Sequence, residues 1–198
     1  MQPYEIIAAP MKAYLAPVGE AFPDVGAIPA GNWVLIGANG DRNITEDGVT
    51  VQHSQTIEQF RTVGSTGPVK ASRTEENLMI RFVLWDLTLE AYKHAMNLAT
   101  VTEVAAASGA GGYKSIPLQR GLTIQERTLL VRGLSPYGPD WNLDYRVPRV
   151  IHSGEPEVVF SKGEPAGLLF EFMALEDPNA TDARERFGTL RAQNAAAL

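Results

Sequence analysis

The stretch SGAGGYKS, Ser108 to Ser115, sets glycines ahead of a Lys-Ser pair, the order in which a phosphate-cradling loop is written. A Walker-type loop needs one glycine directly before the lysine and another five residues earlier, where this chain has Tyr113 and Ser108. Its surroundings are reversed as well. The mechanism needs a strand, the loop, then a helix whose first amides face the phosphate, whereas an alanine-rich helical segment precedes this stretch and a strand follows it. Gly109, Gly111 and Gly112 therefore read as a mobile connector and not as a nucleotide site. Three histidines could do acid–base or metal chemistry. His53 lies in a polar stretch, His94 falls on the outer side of a helix by its phase with Lys93 and Asn97, and His152 ends a strand. None has a second histidine or a carboxylate at ligand spacing, so each reads as a solvated surface group and no metal set is named. Glu46-Asp47 and Glu75-Glu76 are carboxylate pairs, but neighbours on a strand point apart and general acid–base work needs convergent groups. His53-Ser54 fails as a nucleophile pair for the same reason, and no G-x-S-x-G elbow exists. The expectation is a protein without catalytic residues and without cofactors. A hydrolase using His53 or His152 has only the presence of histidine behind it.

The elements that would position any site are mostly strands. With 198 residues and 44% hydrophobic content the chain fits one core of ordinary size. It has no run of eighteen apolar residues and no basic start followed by an apolar stretch, so the expectation is a soluble protein made in the cytosol with no membrane anchor. Zero cysteines exclude disulfide staples and thiolate chemistry together. Net charge is −6, and residues 1–60 hold two basic side chains (Lys12, Arg42) against seven acidic ones. A chain that grips nucleic acid needs clustered Lys and Arg, and none is found here.

Five prolines (Pro3, Pro10, Pro17, Pro23, Pro29) make residues 1–31 an extended arm. WVLI, Trp33 to Ile36, is a short strand, and ANGDRN after it is turn chemistry. From Gly48 to Thr62 the alternation Val49, Val51, His53, Gln55, Ile57 is apolar only at its ends, which predicts a polar ribbon reaching away from the domain. GSTGPVKASRTEE reads as a turn-rich return. LMIRFVLW alternates strictly, with Leu78, Ile80, Phe82 and Leu84 on one face. Asp86 or Thr88 can cap a helix at about 87–100 whose stripe is Leu89, Tyr92, Met96 and Ala99. Leu122 and Ile124 are out of phase with Leu129 and Val131, which predicts a bulge near Glu126-Arg127. NLDYRVPRVIH alternates Leu143, Tyr145 and Val147, with Pro148 at an edge or bulge. PEVVF and GLLFEFMAL are two further strands, the second with Leu168, Phe170, Phe172 and Ala174 inward. Asp177-Pro178 ends the sheet, and a short helix or flexible tail follows. Seven or eight strands around one helix, without βαβ rhythm, predict an antiparallel β-sandwich or barrel with one flanking α-helix.

The order of pieces in GNWVLIGANGDRNITEDGVTVQHSQTIEQFRTVGSTGPVKASRTEENLMIRFVLWDLTLEAYKHAMN, residues 31–97, resembles the major tail tube proteins of long-tailed (siphovirus-type) bacteriophages. The shared features are a W-x-L-x-G strand, a DGVTV strand entering a polar ribbon, a GPVKASRTEE return, and an alternating strand ending in D-L-T-L-E and a helix. LAPVGEAFPDVGAIPAGNW looks like the same group. The secreted tube protein of contractile injection systems shares the fold. The resemblance implies a β-sandwich over 32–176, an arm over 1–31 and a C-terminal tail over 177–198. It also implies homo-hexamer rings stacked into a tube around a tape-measure protein, with tail terminator or initiator proteins as further partners. DNA would pass through without specific binding, and the protein would reside in the virion tail. Assembly contacts would then fall on the ribbon (Val51, His53, Gln55, Ile57, Gln59, Arg61) and on the connector (Tyr113, Lys114). The alternative is a monomeric β-sandwich binding module for carbohydrate or a host receptor, using Trp33, Trp85 and Trp141 as a platform.

Overall fold

The computed structural model describes residues 6–7, 9–97 and 100–195, so Ala99 of the helical stripe and the first five residues of the arm lie outside it. The strands are β1 (Lys12–Pro17), β2 (Val34–Leu35), β3 (Thr50–Phe60), β4 (Lys70–Leu84), β5 (Thr102–Val104), β6 (Tyr113–Ser115), β7 (Arg127–Leu134), β8 (Asn142–His152), β9 (Leu168–Ala174) and β10 (Thr189–Ala192), with one α-helix, α1 (Leu89–Ala95). Eight of them form an antiparallel sheet in the order β2-β1-β7-β8-β9-β4-β3, with β10 also paired to β8, and β5-β6 is a separate hairpin. The fold is mainly β with one flanking helix.

Closure follows from what happens after β2. The chain crosses a 3-10 turn at Gly40–Asn43 and bridges Ile44 to Leu84, so the strand leaving one edge of the sheet joins the other. Asp86 fastens that joint. Its carboxylate accepts the Ala38 amide at 2.8 Å and the Thr88 amide at 2.9 Å, while the Thr88 hydroxyl caps α1 through Ala91 at 3.3 Å. Burial alone would raise the Asp86 pKa, but the hydrogen bonds from Ala38 and Thr88 outweigh it and hold the group below the ordinary carboxylate value.

Inside the rolled sheet, Leu78, Ile80, Phe82 and Leu84 of β4 meet Leu168, Phe170 and Phe172 of β9, with Leu15, Leu129, Val131, Val147 and Val150 from β1, β7 and β8. Phe82 stacks on Phe170 at 5.2 Å between centroids. The alternation expected for β4 and β9 is the one observed. The helix is shorter than expected, and its inward face is Ala91 and Ala95 rather than Leu89 and Met96, because only small side chains let it lie close on the sheet.

Elsewhere the structure departs from the sequence pattern. The return to the sheet is not turn-like through Glu76, since the ladder restarts at Phe60↔Lys70 once Gly64 to Pro68 have made the turn. Leu122 and Ile124 lie outside any strand and are exposed, as are Val159 and Phe160 of the expected PEVVF strand, where only a Ser161↔Glu164 bridge forms. The irregularity expected near Glu126-Arg127 sits between Arg127 and Leu129, opposite Val147 and Val150, so the extra residue falls in β8 at Pro148-Arg149. Proline has no amide to lose from the ladder. Thr128 Oγ1 donates to the Pro148 carbonyl at 2.9 Å and closes the bulge. The residues after Asp177-Pro178 form a 3-10 turn at Ala183–Glu185 and return as β10, filling the edge of β8 that β9, paired only at Val150 to His152, leaves open. Gly188 makes the return possible: its φ is +115°, and a Cβ there would lie 2.0 Å from the Arg146 carbonyl oxygen.

β8 is buried on both faces. Tyr145 and Val147 face the core, while Asp144 and Arg146 face outward under the arm. Asp144 is 0% exposed and accepts from Arg132 Nε at 2.6 Å and from Arg146 Nη2 at 3.1 Å. The two guanidinium groups also donate to the arm's backbone, Arg146 Nη2 to the Pro23 carbonyl at 2.5 Å and Arg132 to those of Asp24 and Ala27, while Arg146 Nε is buried without a partner among the described residues. Trp33 packs on Phe22 and donates to the Ala21 carbonyl at 3.1 Å. The arm is thus held by its backbone, which explains why proline-spaced small residues suffice there. Replacing Asp144 with Ala strands two buried guanidinium groups, and urea unfolding is expected to show a loss of about 3–5 kcal/mol.

Candidate assembly interface

β3 and β4 run past the core. Leu78 is the last buried side chain on β4, and from Gln52 to Phe60 and from Lys70 to Asn77 the two strands are exposed almost throughout, with Ser72 the partial exception. Register assigns the faces. Val51 lies opposite Ile80, His53 opposite Leu78, Gln55 opposite Glu76, Ile57 opposite Arg73 and Gln59 opposite Ala71. The five ribbon strand positions named from the sequence therefore continue the core-side face of the sheet into solvent. Only Val51 touches the core, as a half-buried residue packed against it.

The ribbon's cross-strand bonds are polar. Arg73 Nε donates to Gln55 Oε1 at 2.8 Å and pairs with Glu76 at 3.2 Å, and Thr56 Oγ1 donates to Glu75 at 3.1 Å. Glu75 and Glu76 thus point to opposite faces, as neighbours on a strand must. A bulge on β4 at Thr74, between the Thr56↔Glu75 and Ile57↔Arg73 pairs, adds twist. Arg61 Nη1 donates to the Thr66 carbonyl at 2.9 Å and orders the tip, where Phe60, Val63 and Val69 are exposed. β3 is the sheet's terminal strand, so its outer row of amides and carbonyls is open to strand addition.

The glycine stretch is a hairpin and not an unstructured connector. β5 and β6 pair through Val104↔Tyr113 and Thr102↔Ser115, and Ala107 and Ala110 exchange amide–carbonyl bonds around Gly109, whose φ is +84°. Lys114 donates to Glu90 of α1 at 2.7 Å, and this hydrogen bond lowers the Glu90 pKa and raises that of Lys114. Tyr113 is exposed. The hairpin is anchored to α1 and the ribbon to the core sheet, so the structure places Tyr113–Lys114 and Val51–Arg61 on separate projections.

A cleft of about 320 Å³ at the foot of the ribbon was not legible in the sequence. It is lined by His53, Leu78, Tyr145, Val147, Phe187 and Leu190 among others. It exists only because β10 returns to β8, and no pattern in residues 177–198 signals that return.

The histidines divide. His53 is exposed on the ribbon, but His94 and His152 are not the surface groups expected. Both line a small space with Asn97, Gln125 and Arg127, and His152 is 8% exposed with its ring edge-on to Phe172. Desolvation, with Lys93 and Arg127 near His94 and Arg120 near His152, lowers both to a pKa of about 4. Among the described residues no group of three His, Asp or Glu side chains converges to hold a metal ion. The three tryptophans lie apart along the fold: Trp33 is buried beside the arm, Trp85 follows β4, and Trp141 precedes β8 against Gly138.

No protein-family model and no curated protein matches the chain. Among solved structures, a chain from the tail of an empty GTA particle, computed with helical refinement in C6 symmetry, superposes with a TM-score of 0.40 at 8% identity, covering 93% of this chain and 95% of that chain. A likeness at that level carries no argument, so the functional reading stands on the ribbon and its surroundings.

Both His152, which is buried, and the half-buried His94 are neutral in the fold at pH values where the unfolded chain, near its ordinary pKa of 6.5, takes up protons. Their contribution to stability is therefore complete above about pH 6.5 and is lost as pH falls toward 4. In His152→Gln the loss of unfolding free energy between pH 7 and pH 4 is expected to be smaller than in the parent chain, by on the order of 3 kcal/mol. Urea titrations at the two pH values measure it.

Proposed function

We propose that this chain is a structural subunit of a phage-type tail tube, assembling into hexameric rings that stack into the DNA-conducting tube around a tape-measure protein. The observation that carries the reading is the two-stranded ribbon, which leaves its own core and has both faces and one backbone edge unpartnered within the chain. An isolated two-stranded ribbon is marginal in water, so its natural complement is another protein surface. A ring whose subunits each lend an edge to the next supplies that surface repeatedly, by one heterologous contact that closes on rotation. The net charge of −6 suits a conduit that DNA must traverse without sticking. Terminator and initiator proteins would cap such a tube, and its place would be the virion tail.

Electron microscopy of the concentrated protein is the test. Rings or tubes with six-fold end views are the expected result, and a monomer at every concentration, with a tail initiator present or absent, would remove the reading. Replacing Gln55–Glu76 by an Asn-Gly turn, which joins the paired Ser54 and Asn77, is expected to leave the unfolding free energy within about 1 kcal/mol of the parent, since the deleted side chains are nearly all exposed, while abolishing assembly. Unfolding curves and light scattering on the same samples separate the two effects.

A further inference from the structure

Residues 100–126, which carry the β5–β6 hairpin and the exposed Leu118, Leu122 and Ile124, are loosely attached to the fold. Among the described residues no main-chain hydrogen bond joins them to the rest of the chain. Side chains make the attachments. Lys114 meets Glu90 in solvent, Arg120 Nη1 donates to the Gly154 carbonyl at 3.4 Å, and Arg149 pairs with Glu126 where β7 begins. The remaining tie is to α1. Asn97 follows that helix at φ +55°, a left-handed conformation that asparagine tolerates. Its side-chain amide forms a closed pair with the Gln125 backbone, accepting from the amide at 2.7 Å and donating to the carbonyl at 3.1 Å, while Arg127 Nη2 donates to Gln125 Oε1 at 2.7 Å.

With Asn97, Gln125 and Arg127, the rings of His94 from α1 and His152 from β8 line a space of about 10 Å³, scarcely room for one water molecule. Among the described residues every charged group that faces it is basic. Arg127 of β7 lines it, Lys93 of α1 acts on His94 and Arg120 acts on His152, while β1 and β9 contribute only Leu15 and Phe172. The neighbouring carboxylates are engaged elsewhere, Glu126 with Arg149 and Glu171 on the outward register opposite Arg81. His152 Nδ1 is buried without a hydrogen-bond partner among the described residues. Positive charge added to either ring would meet Arg127 with neither a carboxylate nor solvent to offset it.

We propose that the Asn97–Gln125 pair is a latch released by acid: protonation of His94 and His152 opens residues 100–125 away from the sheet while the core stays folded. The closed latch keeps both rings neutral down to about pH 4, whereas the open one returns them to water, where each takes up a proton near pH 6.5. Falling pH therefore favours the open form throughout that interval. The opening unit is local because its main-chain pairing is internal to the hairpin and the core strands β4 and β9 lie outside it. Once the latch is open, the exposed Lys114–Glu90 pair is too weak to hold the hairpin, so the proton controls how far the projection bearing Tyr113 can swing from α1. This is a property of the single chain and does not depend on the tube-subunit reading.

Amide hydrogen exchange, corrected for the pH dependence of the intrinsic rate, reads the opening at the Gln125 amide. From pH 7 to pH 4.5 its exchange is expected to rise at least about a hundredfold and to stay well ahead of that of β4 and β9 at both pH values. His94→Asn combined with His152→Gln is expected to cut the rise to less than about tenfold, because neither replacement takes up a proton in this range. If that pair fails to fold, His94→Asn alone is expected to reduce the rise about tenfold. Asn97→Ala is expected to speed Gln125 exchange already at pH 7. An absent rise, a rise that survives the histidine substitutions, or Gln125 exchanging no faster than β4 and β9 at pH 4.5 would each overturn the proposal.

Discussion

Burial in this protein stops at Leu78, while the hydrogen-bonded ladder that contains it continues to Lys70. Everything distinctive about the molecule depends on that mismatch. The core is complete without the ribbon: four apolar side chains of β4 interlock with those of β9, the sheet rolls until its edges join at Ile44 and Leu84, and α1 lies on it through two alanines. The ribbon adds main-chain hydrogen bonds and a few exposed polar pairs, each weak in water. It keeps its shape because the ladder is continuous with a buried strand pair, and because the Arg61-bonded tip orders its far end.

The outer face of the sheet solves a different problem. Of the proline-rich residues 1–31, Lys12–Pro17 pair as β1 inside the sheet; the stretch after it, around Pro23 and Pro29, forms no strand and is gripped through its carbonyls by Arg132, Arg146 and Asn142. Asp144 between the two arginines offsets their charge and fixes the direction in which each fork points. Three hydrogen bonds accepted by Asp144 offset part of the cost of burying these groups, and Arg146 Nε is left without a partner among the described residues. The arm is therefore tied to β7 and β8, while the ribbon stands free of any such grip.

Much of this was legible in the residues. Strict alternation at Leu78 to Leu84 and at Leu168 to Ala174 marks strands with one buried face, and polar alternation from Gln52 to Gln59 marks a strand with none. The phase change between Ile124 and Leu129 marks the start of β7 and not a bulge within one strand, since Leu122 and Ile124 lie outside it; the bulge found beside Arg127 has its extra residue in the partner strand at Pro148-Arg149. Failures arose where tertiary context overrides local pattern. Asp144 and Arg146 look like an outward polar face and are buried by the arm. Val159 and Phe160 look like a strand and are exposed. The polar C-terminal segment becomes a strand only because β8 has an open edge and Gly188 can turn into it. The cleft at the ribbon's foot, assembled from residues as distant in sequence as His53 and Leu190, has no local signature at all.

The central claim is that the ribbon obtains its missing partner from other copies of the chain. Amide hydrogen exchange over Gln52–Phe60 and Lys70–Asn77, compared between dilute and assembled protein, tests it most directly. The account expects fast exchange in the dilute chain, well ahead of the β4–β9 core, and strong protection on assembly. Ribbon amides already as protected as the core in the dilute chain, or still unprotected after assembly, would contradict it.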